Sequence, residues 1–482
     1  MSIEKNKNLL PRPPIVVILG HVDHGKTTLL DYIRRTNVVA KEAGGITQAT
    51  GAYEIIHSSK EAGESRKITF IDTPGHEAFS KMRERGANVA DLGILVIAAD
   101  EGVKPQTKEA IKILQESKIP FIVAINKIDR TNADIERVKK ELMEVGVLLE
   151  GFGGNISWQG ISAKTGEGIN ELLDLIILAA ELEDLSYNSE KQGSGVIIES
   201  QMDSRRGLSV SAVIKDGALK VGDEIATASA VGKIKILEDF LGKRVKKLYP
   251  SSPALILGFE TLPQTGEEFF SGKVDLAEIK KNIFEADAVK EESTKNTVNF
   301  ILKADVSGSL EVLAEIIKNI SDTKIINKSV GDINDGDIKS AFSSNAAIIG
   351  FKVKTSKAAE NLAKNQGVKI IISEIIYELI KEVEKEIKNM KDPEIAGELE
   401  ILAVFNGKKS KRQVIGGKVI LGDFKSNSIV KIQRDGKEIG QGKVVNLQCD
   451  KEDTGQVKEG KECGILLDSD VPMKAGDKLI YW

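Results

Sequence analysis

The chain has 482 residues, of which 41% are hydrophobic and 29% charged. That length exceeds one core and implies three or four domains, and that composition belongs to a globular chain rather than a disordered one. No apolar run approaches the roughly 20 residues a membrane helix needs. The opening MSIEKNKNLLPRPP holds no signal-peptide core, so a cytoplasmic location without a membrane is the default expectation. Two cysteines, Cys449 and Cys463, and four histidines exclude a disulfide scaffold and a His-rich metal centre. The net charge of -4 neither requires nor excludes nucleic acid, which local basic patches would engage.

Residues 1–14 read as a tail whose end Pro11, Pro13 and Pro14 keep extended. Over 15–188, short β-rich apolar runs (15–19, 68–71, 93–98, 121–125) alternate with polar loops and helical periodicity. Ala110, Ile111 and Leu114 share one helix face, with Glu109 and Lys112 expected to point outward. This alternation predicts a parallel sheet covered on both faces, closed by a helix over about 168–183. Residues 189–274 switch to short alternating runs between glycine turns, the pattern of an all-β barrel or sandwich. A charged linker, 275–296, leads to a smaller α/β domain at 297–373. Over 374–396 a connector helix is expected, with Ile376, Ile380, Val383, Ile387 and Met390 on one face and Pro393 and Gly397 as its stop. At about 1.5 Å per residue the stretch 374–390 that carries this face spans roughly 25 Å. A second β-barrel fills 397–482. LKVGDEI at 219–225 and MKAGDKLI at 473–480 share a Gly-Asp turn, a hairpin signal that suggests two barrels of related design.

The strongest chemical signal is GHVDHGKT at 20–27, which fits G-x-x-x-x-G-K-[ST] between a strand and a helix. In such a loop Gly20, His21, Val22, Asp23, His24 and Gly25 wrap phosphate oxygens with backbone amides. Lys26 supplies a point charge, and Thr27 and Thr28 open the helix, Thr27 as a Mg²⁺ ligand. Asp23 beside phosphates is repulsive unless paired. DTPG at 72–75 follows the next apolar strand; Asp72 can hold Mg²⁺ through water and the Gly75 amide can meet a γ-phosphate oxygen. EAGGITQATGAY at 42–53 reads as a mobile loop whose Thr47 closes on Mg²⁺ and the γ-phosphate. His76 is the candidate catalytic group that positions the attacking water; a helix-capping or solvent-facing histidine is the plainer reading. NKID at 126–129 reads the base. Asp129 accepts from the guanine N1–H and N2 amino group, which adenine lacks, and Asn126 and Lys127 brace it. Ser162, Ala163 and Lys164 bring a backbone amide toward the guanine O6. Four such elements in order, each at a strand end, select GTP and GDP with Mg²⁺ over ATP. Basic stretches at 205–206, 243–247 and 407–412 are either solvated faces or RNA-backbone contacts. The two cysteines read first as small buried hydrophobes.

GHVDHGKTTLLDYIR, EAGGITQ, IDTPGHEAF, NKID and ISAKTGEGI together closely resemble the bacterial translation initiation factor 2 family, among the translational GTPases. Looser matches, including KADVSGSLEVLAEII, FNGKKSKRQVIGG and EGKECGI, extend the resemblance over nearly the whole chain. The resemblance implies a multidomain α/β and β architecture: P-loop GTPase domain, β-barrel, small α/β domain, long connector helix and C-terminal β-barrel. It implies GTP hydrolysis stimulated by the ribosome, with His76 acting in that step. The implied partners are the small and large ribosomal subunits, formylmethionyl initiator tRNA and other initiation factors, met by a monomer. The terminal barrel would hold the tRNA end through Lys418, Lys451, Glu462, Cys463 and Gly464, and Phe405 and Arg412 are candidates by position and chemistry. Several positions depart from the family pattern. Ala49 and Thr50 stand where His and Ile are usual, and Lys418 where many members have cysteine. Gln448, Cys449 and Asp450 replace a basic and aromatic cluster, which should weaken phosphate contact. Other readings are a ribosome-associated GTPase with weak initiator selectivity, a tRNA-delivering elongation factor, and a GTP-gated scaffold without turnover. The small α/β domain and long helix argue against the second, and His76 against the third.

Overall fold

The structure is a computed structural model that describes residues 9–35, 50–58, 65–75, 77–203, 205–272, 297–391, 396–405, 412–449 and 452–481. Thr47, His76, Asp450, Lys451, Pro393 and the linker 275–296 lie outside the described residues. The chain divides into two compact units, Met1–Ile380 and Lys381–Trp482.

The first unit begins with β1 (Leu9–Pro11) and then β2 (Ile15–Gly20), α1 (Lys26–Arg34), β3 (Gly51–Ser58), β4 (Ser65–Asp72) and α2 (Ser80–Val89). There follow β5 (Leu92–Ala98), α3 (Pro105–Glu116), β6 (Phe121–Asn126), α4 (Ile135–Glu144), β7 (Trp158–Gly160), α5 (Ile169–Leu182) and β8 (Ser186–Asn188). Six of the strands form one sheet in the order β3-β4-β2-β5-β6-β7. Every residue of β2 and β5 is buried, as central parallel strands covered on both faces require. One apolar cluster packs Val17, Ile97 and Ile125 with Ala110, Leu114, Val138 and Leu142 of α3 and α4; the other packs Ile18, Val96 and Ala124 with Leu29, Leu172 and Ile176 of α1 and α5. All five parallel strands thus open the same edge to a ligand at their carboxyl ends.

Four local expectations are corrected. Residues 51–58, whose first three were read as the end of a loop, form a strand antiparallel to β4. Tyr53 stacks on Phe70 at 5.6 Å under the Arg34 guanidinium, and its burial fixes the pleat that the preceding Gly and Thr obscured. The end of the tail is not loose: β1 pairs with β8, and Arg12 makes a bidentate pair with Asp91 at 2.6 and 2.7 Å. Glu109 does not point outward but pairs with Arg83. The two Gly-Asp sequences form the same turn, in which Asp223 and Asp477 accept from the backbone of Lys220 and Lys474. Neither closes a hairpin: the first passes the chain between separate sheets, and the strand after the second, Lys478–Tyr481, pairs with Gly397–Val404 and Ile429–Arg434.

Next in the first unit, six strands between Ser194 and Gly272 close a barrel. Lys215 from this barrel donates to the Val89 carbonyl at 2.6 Å and pairs with Asp91. A four-stranded parallel sheet then spans 298–373; besides the expected strands it contains Thr323–Val330 and a helix Asp335–Ser343 capped by Asn334. Its first helix, Ser307–Asn319, is tied to α2 by Arg85–Glu311 at 2.7 Å and Lys81–Glu315 at 3.0 Å.

The long helix runs Ile376–Lys391, and Ile376, Leu379, Val383 and Ile387 are its buried stripe. In the second unit, strands from Gly397 to Tyr481 form a sheet closed by pairing of Ile429–Arg434 with Lys437–Cys449. Its interior is filled by Leu399, Ile415, Val430, Leu447, Ile465 and their neighbours.

Candidate functional site: a phosphate loop and a base pocket at the strand ends

The loop between β2 and α1 turns on Gly25, whose left-handed backbone (φ 86°) presses against the Asn126 amide, where a Cβ would collide. No side chain caps the first turn of α1, so its N-terminus is arranged to receive an anion. The Lys26 ammonium is buried and donates to the carbonyls of Gly20 at 2.8 Å and His21 at 2.6 Å. Burial lowers its pKa to about 8 while Asp72 acts in the opposite direction, so it stays cationic at neutral pH. Gly75 lies so close that a Cβ there would stand 2.5 Å from Nζ. Val22 donates its backbone N–H to Gln106 at 3.1 Å. His24 is buried, faces the Val96 carbonyl, and is lowered to about 4 by burial and by His21, so it is a neutral packing group. Asp23 and Thr28 are exposed.

The remaining motifs meet this loop through one side chain. Asn126 Nδ2 donates to the His24 carbonyl at 2.9 Å, and its Oδ1 accepts from the Ala163 amide at 2.9 Å. Asn126 therefore joins the phosphate loop, NKID and the Ser162–Lys164 turn. Ser162 Oγ donates to Asp129 at 2.7 Å and holds its carboxyl below the usual range, leaving it an ionised acceptor. Lys127, itself left-handed at φ 65°, reaches back to Glu101 at 3.0 Å. Lys164 is exposed. A buried lysine beside Asp72, an uncapped helix N-terminus and an ionised carboxylate at the end of the next strand but one fit a nucleoside polyphosphate carrying a hard divalent cation.

Arg83 was not singled out by its motif. It is 1% exposed, donates to the Pro74 carbonyl at 3.0 Å, and pairs with Glu109 at 2.6 Å, where the Ser80 hydroxyl also donates. It thereby holds the segment between Asp72 and His76. The available signal was a charge on the face of α2 shared with Met82, Gly86 and Ala87.

Family models match in chain order. The elongation factor Tu GTP binding domain matches residues 12–181, elongation factor G domain 2 matches 192–272, and translation-initiation factor 2 matches 273–384. Translation initiation factor IF-2 of Thermoanaerobacter sp. is 40% identical over 501 residues, 98% of this chain and 71% of that protein. The chain belongs to the translation initiation factor IF-2 family. The IF-2 of Staphylococcus saprophyticus is likewise 40% identical over 98% of this chain and 70% of that protein. A crystal structure of GDP-bound aIF5B from Aeropyrum pernix is similar at 27% identity and a TM-score of 0.47, over 98% of this chain and 92% of that one. As an IF-2 member with this GTP-binding domain, the protein is a translation initiation GTPase that binds guanine nucleotide. Among the described residues no helix is long and apolar enough to cross a membrane.

In the terminal barrel of this IF-2 member the candidate tRNA contacts Arg412, Lys418, Glu462, Cys463 and Gly464 lie along one strand pair. Lys418 is directly opposite Glu462, Gly417 opposite Cys463 and Gly416 opposite Gly464. Phe405 is 70% exposed and its ring lies over Gly416, 3.0 Å from where a Cβ would stand. Cys463 points into the barrel core, whereas Glu462 and Lys418 are exposed. Arg412 is opposite Asp468 and pairs with it at 3.9 Å. Of the basic stretches, Arg206 and Arg244 share Glu238, and Lys247 lies over the Tyr249 ring.

Proposed function

We propose that this GTPase holds formylmethionyl initiator tRNA on the small ribosomal subunit, promotes joining of the large subunit, and hydrolyses GTP when the ribosome stimulates it. It acts in the cytoplasm as a monomer alongside other initiation factors. The observation that carries the nucleotide part is the bridge from Asn126 to His24 and Ala163, which ties three separate motifs into one pocket. The phosphates lie along the loop from Gly20 to Thr28, with Lys26 between them and Gly75 beside the last. Asp129 reads the guanine, steadied by Ser162, Lys127 and the Ala163–Lys164 turn. Thr27, Asp72 and Thr47 would hold Mg²⁺, which when bound neutralises phosphate charge. His76 positions the attacking water. Arg83, through the Pro74 carbonyl, positions the segment that carries His76. Phe405, Arg412, Lys418, Lys451, Glu462, Cys463 and Gly464 form the tRNA-end region, with Cys463 contributing its wall rather than a contact.

A ribosome-associated GTPase with weak initiator selectivity is the second reading, favoured by the acidic residues set opposite Lys418 and Arg412. Two assays separate the parts. His76→Ala should bind GTP normally and lose ribosome-stimulated hydrolysis; unchanged turnover refutes the catalytic role. The full chain should slow spontaneous ester hydrolysis of formylmethionyl-tRNA but not of methionyl-tRNA. Protection of neither leaves the second reading.

A further inference from the structure

Cys449 and Cys463 are the only cysteines of the chain, and no disulfide joins them in the structure. They lie on neighbouring antiparallel strands of the terminal barrel. Asn446 is opposite Leu466, Leu447 opposite Ile465 and Gln448 opposite Gly464, so the next step of the same register sets Cys449 opposite Cys463. Directly opposite residues have Cα atoms about 4.5–5.5 Å apart, inside the roughly 4.4–6.8 Å that a disulfide spans. They also project to the same face of the sheet. Packing agrees: Cys463 belongs to the barrel core and Cys449 packs against that same core. Cys449 Sγ is 3.8 Å from the carbonyl oxygen of Glu462, the neighbour of Cys463.

We infer that Cys449 and Cys463 are a dithiol site that a low-molecular-weight disulfide oxidises to a single cross-strand disulfide. The half-buried Cys449 is the thiol that solvent reaches, so its thiolate attacks one sulfur of the small disulfide and expels one small thiolate. Cys463 then loses its proton and attacks the Cys449 sulfur, forming the protein S–S bond and expelling the second small thiolate. The protein dithiol gives up two electrons and two protons, and the small disulfide becomes two thiols. Burial and the neighbouring Cys449 push the Cys463 thiol up to about 11, which suits it to the second, internal step and not to the first. The bond joins the strand bearing Glu462 and Gly464 to its neighbour.

The test uses the reduced full chain under native conditions, treated with oxidised glutathione, quenched with an alkylating agent and mapped by peptide mass. The expected result is a chain lighter by two hydrogens. It carries one joined peptide pair holding Cys449 and Cys463 and is restored by dithiothreitol. Cys463→Ala should stop at a glutathione adduct on Cys449, and Cys449→Ser should form no adduct while folded. A wild-type chain that stops at the mixed disulfide, keeps both thiols alkylatable, or couples only to a second chain overturns the inference. The wild-type map decides by itself, so a misfolded variant leaves the test intact.

Discussion

Replacing Arg83 by methionine keeps most of the side-chain volume and removes one buried charge. The variant strips the Pro74 carbonyl of the donor at 3.0 Å and takes from Glu109 its cation at 2.6 Å. Breaking one side of a buried ion pair costs about 3–5 kcal/mol. Glu109 is 27% exposed and keeps the Ser80 hydroxyl, so water and that bond offset part, leaving about 2–3 kcal/mol. The loss falls on the segment between Asp72 and His76. If about half of it appears in the transition state, hydrolysis at saturating GTP drops roughly tenfold, since about 1.4 kcal/mol is a factor of ten. GDP affinity should change less than about threefold, because the proposed base contacts, Asp129 with its Ser162 hydrogen bond, do not involve Arg83. Removing Glu109 as well, in Arg83→Met/Glu109→Met, should recover part of the stability loss, with a coupling of about 1–3 kcal/mol. Ribosome-stimulated phosphate release, GDP binding and thermal unfolding are measured in parallel. A folded Arg83→Met that hydrolyses within twofold of wild type refutes the positioning role.

Three further outcomes follow from the same geometry. Asp129→Asn should shift preference from guanine to xanthine nucleotides, read by competition binding; unaltered GTP selectivity contradicts the base-reading role. Gly25→Ala sets a side chain at φ 86° against Asn126, which costs at least about 1–2 kcal/mol in backbone strain alone, so affinity for both GTP and GDP should fall roughly tenfold or more. Glu199, buried under the Gly308 and Ser200 amides, is raised by burial to about 7 from 4.5. Its neutral form is the one the fold favours. The associated stability is therefore complete below about pH 4.5 and is lost as pH rises through about 7, a difference of about 3 kcal/mol. Glu199→Gln should flatten that part of the unfolding profile, stabilising at pH 8 and matching wild type near pH 4.5. An unchanged pH slope excludes Glu199 as its source.

Reading the chain residue by residue determined the nucleotide chemistry, because a phosphate loop and a base reader are local. The glycine of a turn, the lysine after it and the strand before it are neighbours in the sequence, and their backbone requirements are written in residue types. The buried parallel strands were legible for a related reason: a strand covered on both faces must be apolar throughout. The strand at 51–58 was missed because its edge position leaves only Tyr53 and His57 fully inside, after a run of Gly and Thr that reads as loop. Tertiary structure alone decided what depends on partners distant in the chain. Arg83 looks like any helical surface arginine until α3 brings Glu109 to it and the turn after β4 brings the Pro74 carbonyl. Glu199 is an ordinary strand carboxylate until the helix starting at Ser307 covers it with the Gly308 amide. Cys449 and Cys463 are 14 positions apart in the sequence and become opposite one another only through strand register. Burial and electrostatic pairing are properties of the assembled neighbourhood, whereas propensity and turn chemistry belong to the residues themselves.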